Sequence, residues 1–169
     1  LLFYHADIKG AFLTGKRMEV LRAIVEKKGR EAITVVTTMD AFLDGLPSKE
    51  ELCGNRIKIH AEEALDFQKL QENLSILGYE RENQVESPGQ FAVRGGILDV
   101  FPLTEENPVR IELWGDEVDS IRSFDVESQR STENLQEIEI YPATENWKQM
   151  KTESFLAYFP VKETILFLD

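Results

Sequence analysis

The sequence predicts an α/β fragment followed by an α+β domain, an antiparallel sheet meander with a packed helix. Three observations carry this. Helix, strand and helix signals follow one another before residue 54, the order of an α/β layer. Beyond Gly78 the pattern becomes two-residue alternation broken by short turn clusters, as in sequential antiparallel strands. Between the two parts, Phe67, Leu70, Leu74 and Leu77 recur at helical spacing and stop at Gly78.

The elements follow in order. Leu1-Leu2-Phe3-Tyr4 reads as a strand remnant. Arg17 to Lys28 is a helix, with Met18, Leu21, Ile24, Val25 and Lys28 on one face and Gly29 as its stop. Ile33 to Thr37 is β-branched and is expected as a buried strand. Met39 to Leu43 makes a helical turn or two, ending at Gly45-Leu46-Pro47-Ser48, and the capping-box spacing of Ser48 and Glu51 starts another short helix. Asn55 to His60 alternates Arg56, Lys58 and His60 against Ile57 and Ile59, a half-exposed strand. Asp66 caps the next helix, and Leu65 and Leu70 staple its entry. Strands are then expected over Tyr79–Val85, Gln90–Phe101, Val109–Trp114, Glu117–Asp125 and Glu137–Tyr141. Gly95-Gly96 interrupts the second of these as a bulge or kink, and Trp114-Gly115-Asp116-Glu117 is a tight hairpin. Pro142 to Lys151 is a connector, and Ser154 to Phe159 a helical turn before a last buried strand. The start at Leu1 and the closing apolar run Thr164-Ile165-Leu166-Phe167-Leu168-Asp169 read as ends cut from something longer.

Composition narrows the function. With 42% apolar residues in 169, the chain can form a packed core. Acidic residues number 31 against 19 basic ones, a net charge of −12. Phosphate affinity comes largely from Lys and Arg, so this balance argues against nucleic-acid binding by the chain itself and favours partners with cationic patches. The single cysteine, Cys53, excludes an internal disulfide, suits a cytoplasmic protein, and reads as a small half-buried apolar residue. No apolar run approaches the ~18 residues that span a bilayer, and no signal peptide opens the sequence.

Catalytic patterns are weak. Gly10-Ala11-Phe12-Leu13-Thr14-Gly15-Lys16-Arg17 resembles G-x-x-x-x-G-K-[ST], but Arg17 replaces the hydroxyl that would hold Mg²⁺. Its Phe-Leu interior suits packing better than a phosphate cradle, so it is read as a loop leading into the Arg17 helix. His5 and His60 lack metal spacing and an evident nucleophile or carboxylate partner. Asp116, Glu117 and Asp119 crowd a turn, where such residues are ordinary. Arginines are more informative. Arg81 follows the helix, Arg94 stands on a strand, and Arg110 shares a strand face with Glu112. One reading is a solvated face of cross-strand ion pairs, each worth under ~1 kcal/mol. The other is a binding surface, because the planar guanidinium is a preferred anchor.

Three strings decide between these readings. They are Gly78-Tyr79-Glu80-Arg81, the run Gly89 to Pro102, and the run Arg110 to Arg122. Together they resemble the UvrB-homology module, found in the excision-repair protein UvrB and in the N-terminal part of bacterial transcription-repair coupling factors. Flanking strings at Arg17–Leu21, Val35–Thr38, Phe124–Ser131 and Ile140–Glu145 are similar too, so the resemblance covers nearly the whole chain. The coupling factors are nearer in wording. Ala92 stands where UvrB carries a second arginine, and Phe124-Asp125-Val126-Glu127-Ser128-Gln129-Arg130-Ser131 matches them.

The resemblance implies residues 1–54 as part of a RecA-like domain 1a, 55–142 as the UvrA-binding domain 2, and 143–169 as the start of domain 1b. It implies that Arg81, Arg94, Arg110 and Glu112 contact UvrA, and that repair is thereby recruited to RNA polymerase stalled at DNA lesions. The fragment is expected to have no catalysis, cofactor or metal of its own. ATP and Mg²⁺, RNA polymerase and double-stranded DNA belong to the parent, a bacterial cytoplasmic ATP-dependent translocase whose motor lies outside this chain. The alternative parent is UvrB itself, an ATP-dependent, helicase-like verifier of DNA damage.

Overall fold

The computed structural model describes residues 4–26, 33–143 and 152–159, with side chains from Leu13 onward. Helix α1 spans Tyr4–Glu26, longer at its start than the helix expected from Arg17. Met18, Leu21 and Ile24 form its buried stripe as their spacing requires. The Walker-like string therefore lies within a helix and not in a loop. A continuous helix points its backbone N–H groups at its own carbonyls and cannot cradle a phosphate there. Tyr4 is helical too, which leaves no room at that position for the strand remnant; Leu1 to Phe3 and Gly29 lie outside the described residues.

Residues 33–38 form no strand, and Val36 is 92% exposed. A β-branched run needs a neighbouring strand to complete a pleated ladder, and none among the described residues pairs with it; Val35 packs against the second core without one. The expected α/β layer is thus not formed among the described residues. Instead α2 (Met39–Leu43) is capped by Thr38, and α3 (Lys49–Gly54) by Ser48, whose hydroxyl accepts from the Glu51 N–H at 3.2 Å. Between them β1 (Leu46–Pro47) pairs with β10 (Thr152–Glu153), and a 3₁₀ turn follows at Phe155–Tyr158. The closing strand expected at 164–168 and most of the 142–151 connector lie outside the described residues.

The second part follows its pattern more closely. Strand β2 (Ile57–His60) pairs antiparallel with β9 (Glu137–Ile140). Helix α4 (Phe67–Ile76) is capped by Asp66, whose carboxylate accepts from the Lys69 N–H at 2.9 Å. A six-stranded sheet runs in the order β3 (Glu80–Arg81), β4 (Gln90–Arg94), β5 (Ile97–Val100), β6 (Val109–Trp114), β7 (Glu117–Phe124), β8 (Ser131–Leu135). It is antiparallel except for β3, a short edge strand parallel to β4. Strand β8 has no apolar alternation and was not signalled by sequence; the open edge of β7 draws it in.

One face of the sheet meets α4 in the main core, where Leu74, Leu98, Val100, Ile111 and Ile140 are fully enclosed. A second core joins α1 to the rest through Met18, Leu21, Leu52, Leu103, Tyr141 and Tyr158. Polar contacts reinforce that junction. Arg22 pairs with Glu105 at 2.6 Å, and the Tyr141 hydroxyl donates to Glu26 at 2.8 Å.

Candidate functional site: an arginine and carboxylate face on the sheet

The face opposite α4 is assembled by tight reversals. At Gly95-Gly96 the chain turns back on itself; it does not kink onward. Gly95 takes φ 61°, which suits glycine, and Arg94 comes to lie across from Ile97. In this register Asp99 pairs with Ala92 on one side and with Arg110 on the other. Arg110 in turn lies beside Arg122, and Glu112 beside Ser120. Since paired residues in a sheet point to the same side, Arg94, Asp99, Arg110, Glu112 and Arg122 share one face.

Asp99 is the centre of the cluster. It is 1% exposed yet ionisable, and its carboxylate accepts three charge-assisted hydrogen bonds. Arg110 gives two, Nε to Oδ1 at 2.7 Å and Nη2 to Oδ2 at 2.8 Å; Arg94 gives one, Nη2 to Oδ2 at 2.8 Å. The Arg110 guanidinium also sits 4.6 Å from the ring centre of Phe124. Hydrogen bonding to Asp99 raises the pKa of Arg110 above its ordinary value despite partial burial, with the Asp99 and Glu112 charges adding to it. Next to this knot Arg122 pairs with Glu112, which also accepts from the Ser120 hydroxyl at 3.4 Å. The Nε of Arg122 is buried without a hydrogen-bond partner.

The two arginines on Asp99 differ in what they offer. The Arg110 side chain is 17% exposed and held by two bonds and a ring. That of Arg94 is 52% exposed and uses one N–H on Asp99, so most of its fork faces outward. At the end of β6, past a bulge between Glu112 and Leu113, Trp114 pairs with Glu117 and stands 84% exposed on the same face. A cation held in position on the same face as an exposed indole has the composition of an interface anchor.

Of the residues singled out by sequence, Arg94, Arg110 and Glu112 come together. Arg81 does not. Its register against Phe91 places it on the α4 side of the sheet, at the β3 edge, where it is exposed and makes no ion pair among the described residues. Sequence reasoning missed Asp99, Trp114 and Arg122. Only Asp99 had a visible signal, a carboxylate inside the apolar run Ile97-Leu98-Asp99-Val100.

Other features carry no chemistry of this kind. No group of three or more His, Cys, Asp or Glu among the described residues could hold a metal ion. His60 sits in a cross-strand pair, Nδ1 at 3.2 Å from Glu137, and Cys53 is a half-buried free thiol. No described helix is long and apolar enough to cross a membrane.

The UvrB interaction domain family matches residues 57–146, which include the whole of this face. The chain is 42% identical over 133 residues to the transcription-repair-coupling factor of Bacillus subtilis (strain 168), covering 79% of this chain and 11% of that protein. Identity to the corresponding factor of Staphylococcus aureus (strain bovine RF122 / ET3-1) is 37%, with the same coverage. This chain thus spans 11% of the length of these relatives. It belongs to the UvrB interaction domain family, and both of these relatives are transcription-repair-coupling factors.

Proposed function

We propose that the face centred on Asp99 is a protein-docking surface for UvrA, through which a transcription-coupled excision-repair factor brings repair to RNA polymerase stalled at a lesion. The observation that carries this is Arg94, half-exposed and oriented by a buried carboxylate, on one face with the exposed Trp114. Three guanidinium groups meet two carboxylates in the cluster, a locally cationic spot on a chain of net charge −12. Such a spot suits a partner that offers carboxylates. Arg110 and Glu112 buttress it, and Arg81 lies on the far side of the sheet, outside the docking face.

The larger protein is proposed as a bacterial cytoplasmic ATP-dependent DNA translocase, with ATP, Mg²⁺, polymerase and double-stranded DNA handled outside this chain. Residues 1–54 are proposed as part of a RecA-like domain 1a, 55–142 as domain 2, and 143–169 as the opening of domain 1b. Exposed Leu13, Val36 and Leu43 suit a partial layer awaiting its remaining strands. The alternative of a UvrB fragment fits less well. Ala92 is 1% exposed against Val85 and Phe101, a site that accepts no arginine without repacking.

The test is UvrA affinity of Arg94→Glu and Trp114→Ala, each on a side chain exposed enough to change without unfolding the sheet. Truncating a buried interfacial charge pair costs ~2–5 kcal/mol, so Arg94→Glu is expected to weaken binding by at least about tenfold. Wild-type affinity in both variants rejects the surface.

A further inference from the structure

Asp99 has no surface of its own to offer a partner, being 1% exposed, yet it is an acidic side chain on the face that would dock. A carboxylate in a cationic docking site is a paradox if charge alone matters, because it weakens the attraction for an acidic partner. Its geometry resolves this. Arg110 grips both oxygens from β6, and Arg94 reaches Oδ2 from β4, so one carboxylate ties guanidiniums from the two flanking strands. Arg110 is already fixed by Phe124, whereas Arg94 has no other side-chain partner among the described residues. A free arginine loses rotamer entropy when it docks; one held beforehand does not.

We propose that Asp99 is a positioning residue, which presets the Arg94 fork for the partner's carboxylate and thereby raises affinity although its own charge opposes it. This rests on the docking reading above, and the sign of one substitution separates it from simple electrostatics. Asp99→Asn is isosteric and removes a negative charge. If the face works by charge, the variant binds UvrA more tightly and associates faster. If Asp99 positions Arg94, it binds about tenfold more weakly, through faster dissociation.

The experiment measures UvrA association and dissociation with the full chain, as wild type, Asp99→Asn, Arg94→Ala and the double variant. The expected result is that Asp99→Asn weakens binding in the wild-type background but adds little to Arg94→Ala. Unchanged or tighter binding by Asp99→Asn overturns the inference, as does an equal loss in both backgrounds, which marks a general effect on the fold. Arg94→Lys covers the case in which Asp99→Asn does not fold. It keeps the charge without the planar fork and is expected to lose nearly as much as Arg94→Ala; wild-type affinity there overturns the inference. A partner-free readout separates this from the function itself. The Arg94 side chain should be ordered by NMR relaxation in the free wild type and mobile in Asp99→Asn. A mobile Arg94 in the wild type overturns positioning whatever UvrA does. An ordered one in a chain that UvrA ignores overturns the docking reading and the role in docking with it, leaving only the ion pair.

Discussion

Arg110 and Arg94 bond to the same carboxylate, and the structure predicts that deleting them has very different consequences for stability. Arg110→Ala removes two of the three hydrogen bonds to Asp99 and the guanidinium stacked on Phe124, leaving a 1% exposed carboxylate with one contact. Removing one partner of a buried ion pair costs 3–5 kcal/mol; since Arg94 remains and Arg110 is itself partly solvated, about 3 kcal/mol is expected. Arg94→Ala leaves the two bonds from Arg110 in place and removes a 52% exposed side chain, so its loss should stay under about 1 kcal/mol. For a chain of this size each kcal/mol moves Tm by roughly 2–4 °C, which puts the Arg110 variant about 6–12 °C down and the Arg94 variant within about 4 °C of wild type. Urea denaturation and thermal melts of the two variants, side by side, measure the gap. Equal losses, or a larger loss for Arg94→Ala, would refute the assignment of Arg110 as scaffold and Arg94 as contact. The same asymmetry warns against Arg110→Glu as a binding probe, because at this mostly buried position the new carboxylate is held against Asp99, whereas in Arg94→Glu it can turn to solvent.

Two further outcomes follow from the cores. Leu74 is wholly enclosed between α4 and the sheet, so Leu74→Ala should cost about 2–5 kcal/mol by urea denaturation, and a loss below about 1 kcal/mol would contradict the packing of α4 on the sheet. Burial raises the hydroxyl pKa of Tyr141 and of Tyr158 to about 12, and that of Tyr79 also upward. The neutral hydroxyl is thus favoured in the folded chain. The stability this contributes is complete below the unfolded value of about 10 and is lost as pH rises from there through about 12. Urea midpoints taken from pH 8 to pH 12 should show a decline beginning near about pH 10, shallower in Tyr141→Phe; a flat profile would contradict the tyrosine burial.

Local chemistry alone determined a good deal of this chain. Ser48 and Asp66 start their helices because their side-chain oxygens satisfy N–H groups that no helix can satisfy for itself. The stripe of α4, the strand Val109–Trp114 and its hairpin follow from periodicity, and so does the shared face of Arg110 and Glu112. Residues 33–37 and Ser131–Leu135 show the limit. The first has β propensity and no neighbouring strand among the described residues; the second has a polar pattern and an open sheet edge, and the edge decides. The docking face depended on tertiary structure in the same way. Along one uninterrupted strand Arg94 and Asp99, five residues apart, point to opposite sides. The reversal at Gly95-Gly96 pairs Arg94 with Ile97 and so turns Asp99 to the same side, where Arg110 from a third strand completes the cluster. Side-chain parity is a local property only until the chain turns, and after that it belongs to the register between strands.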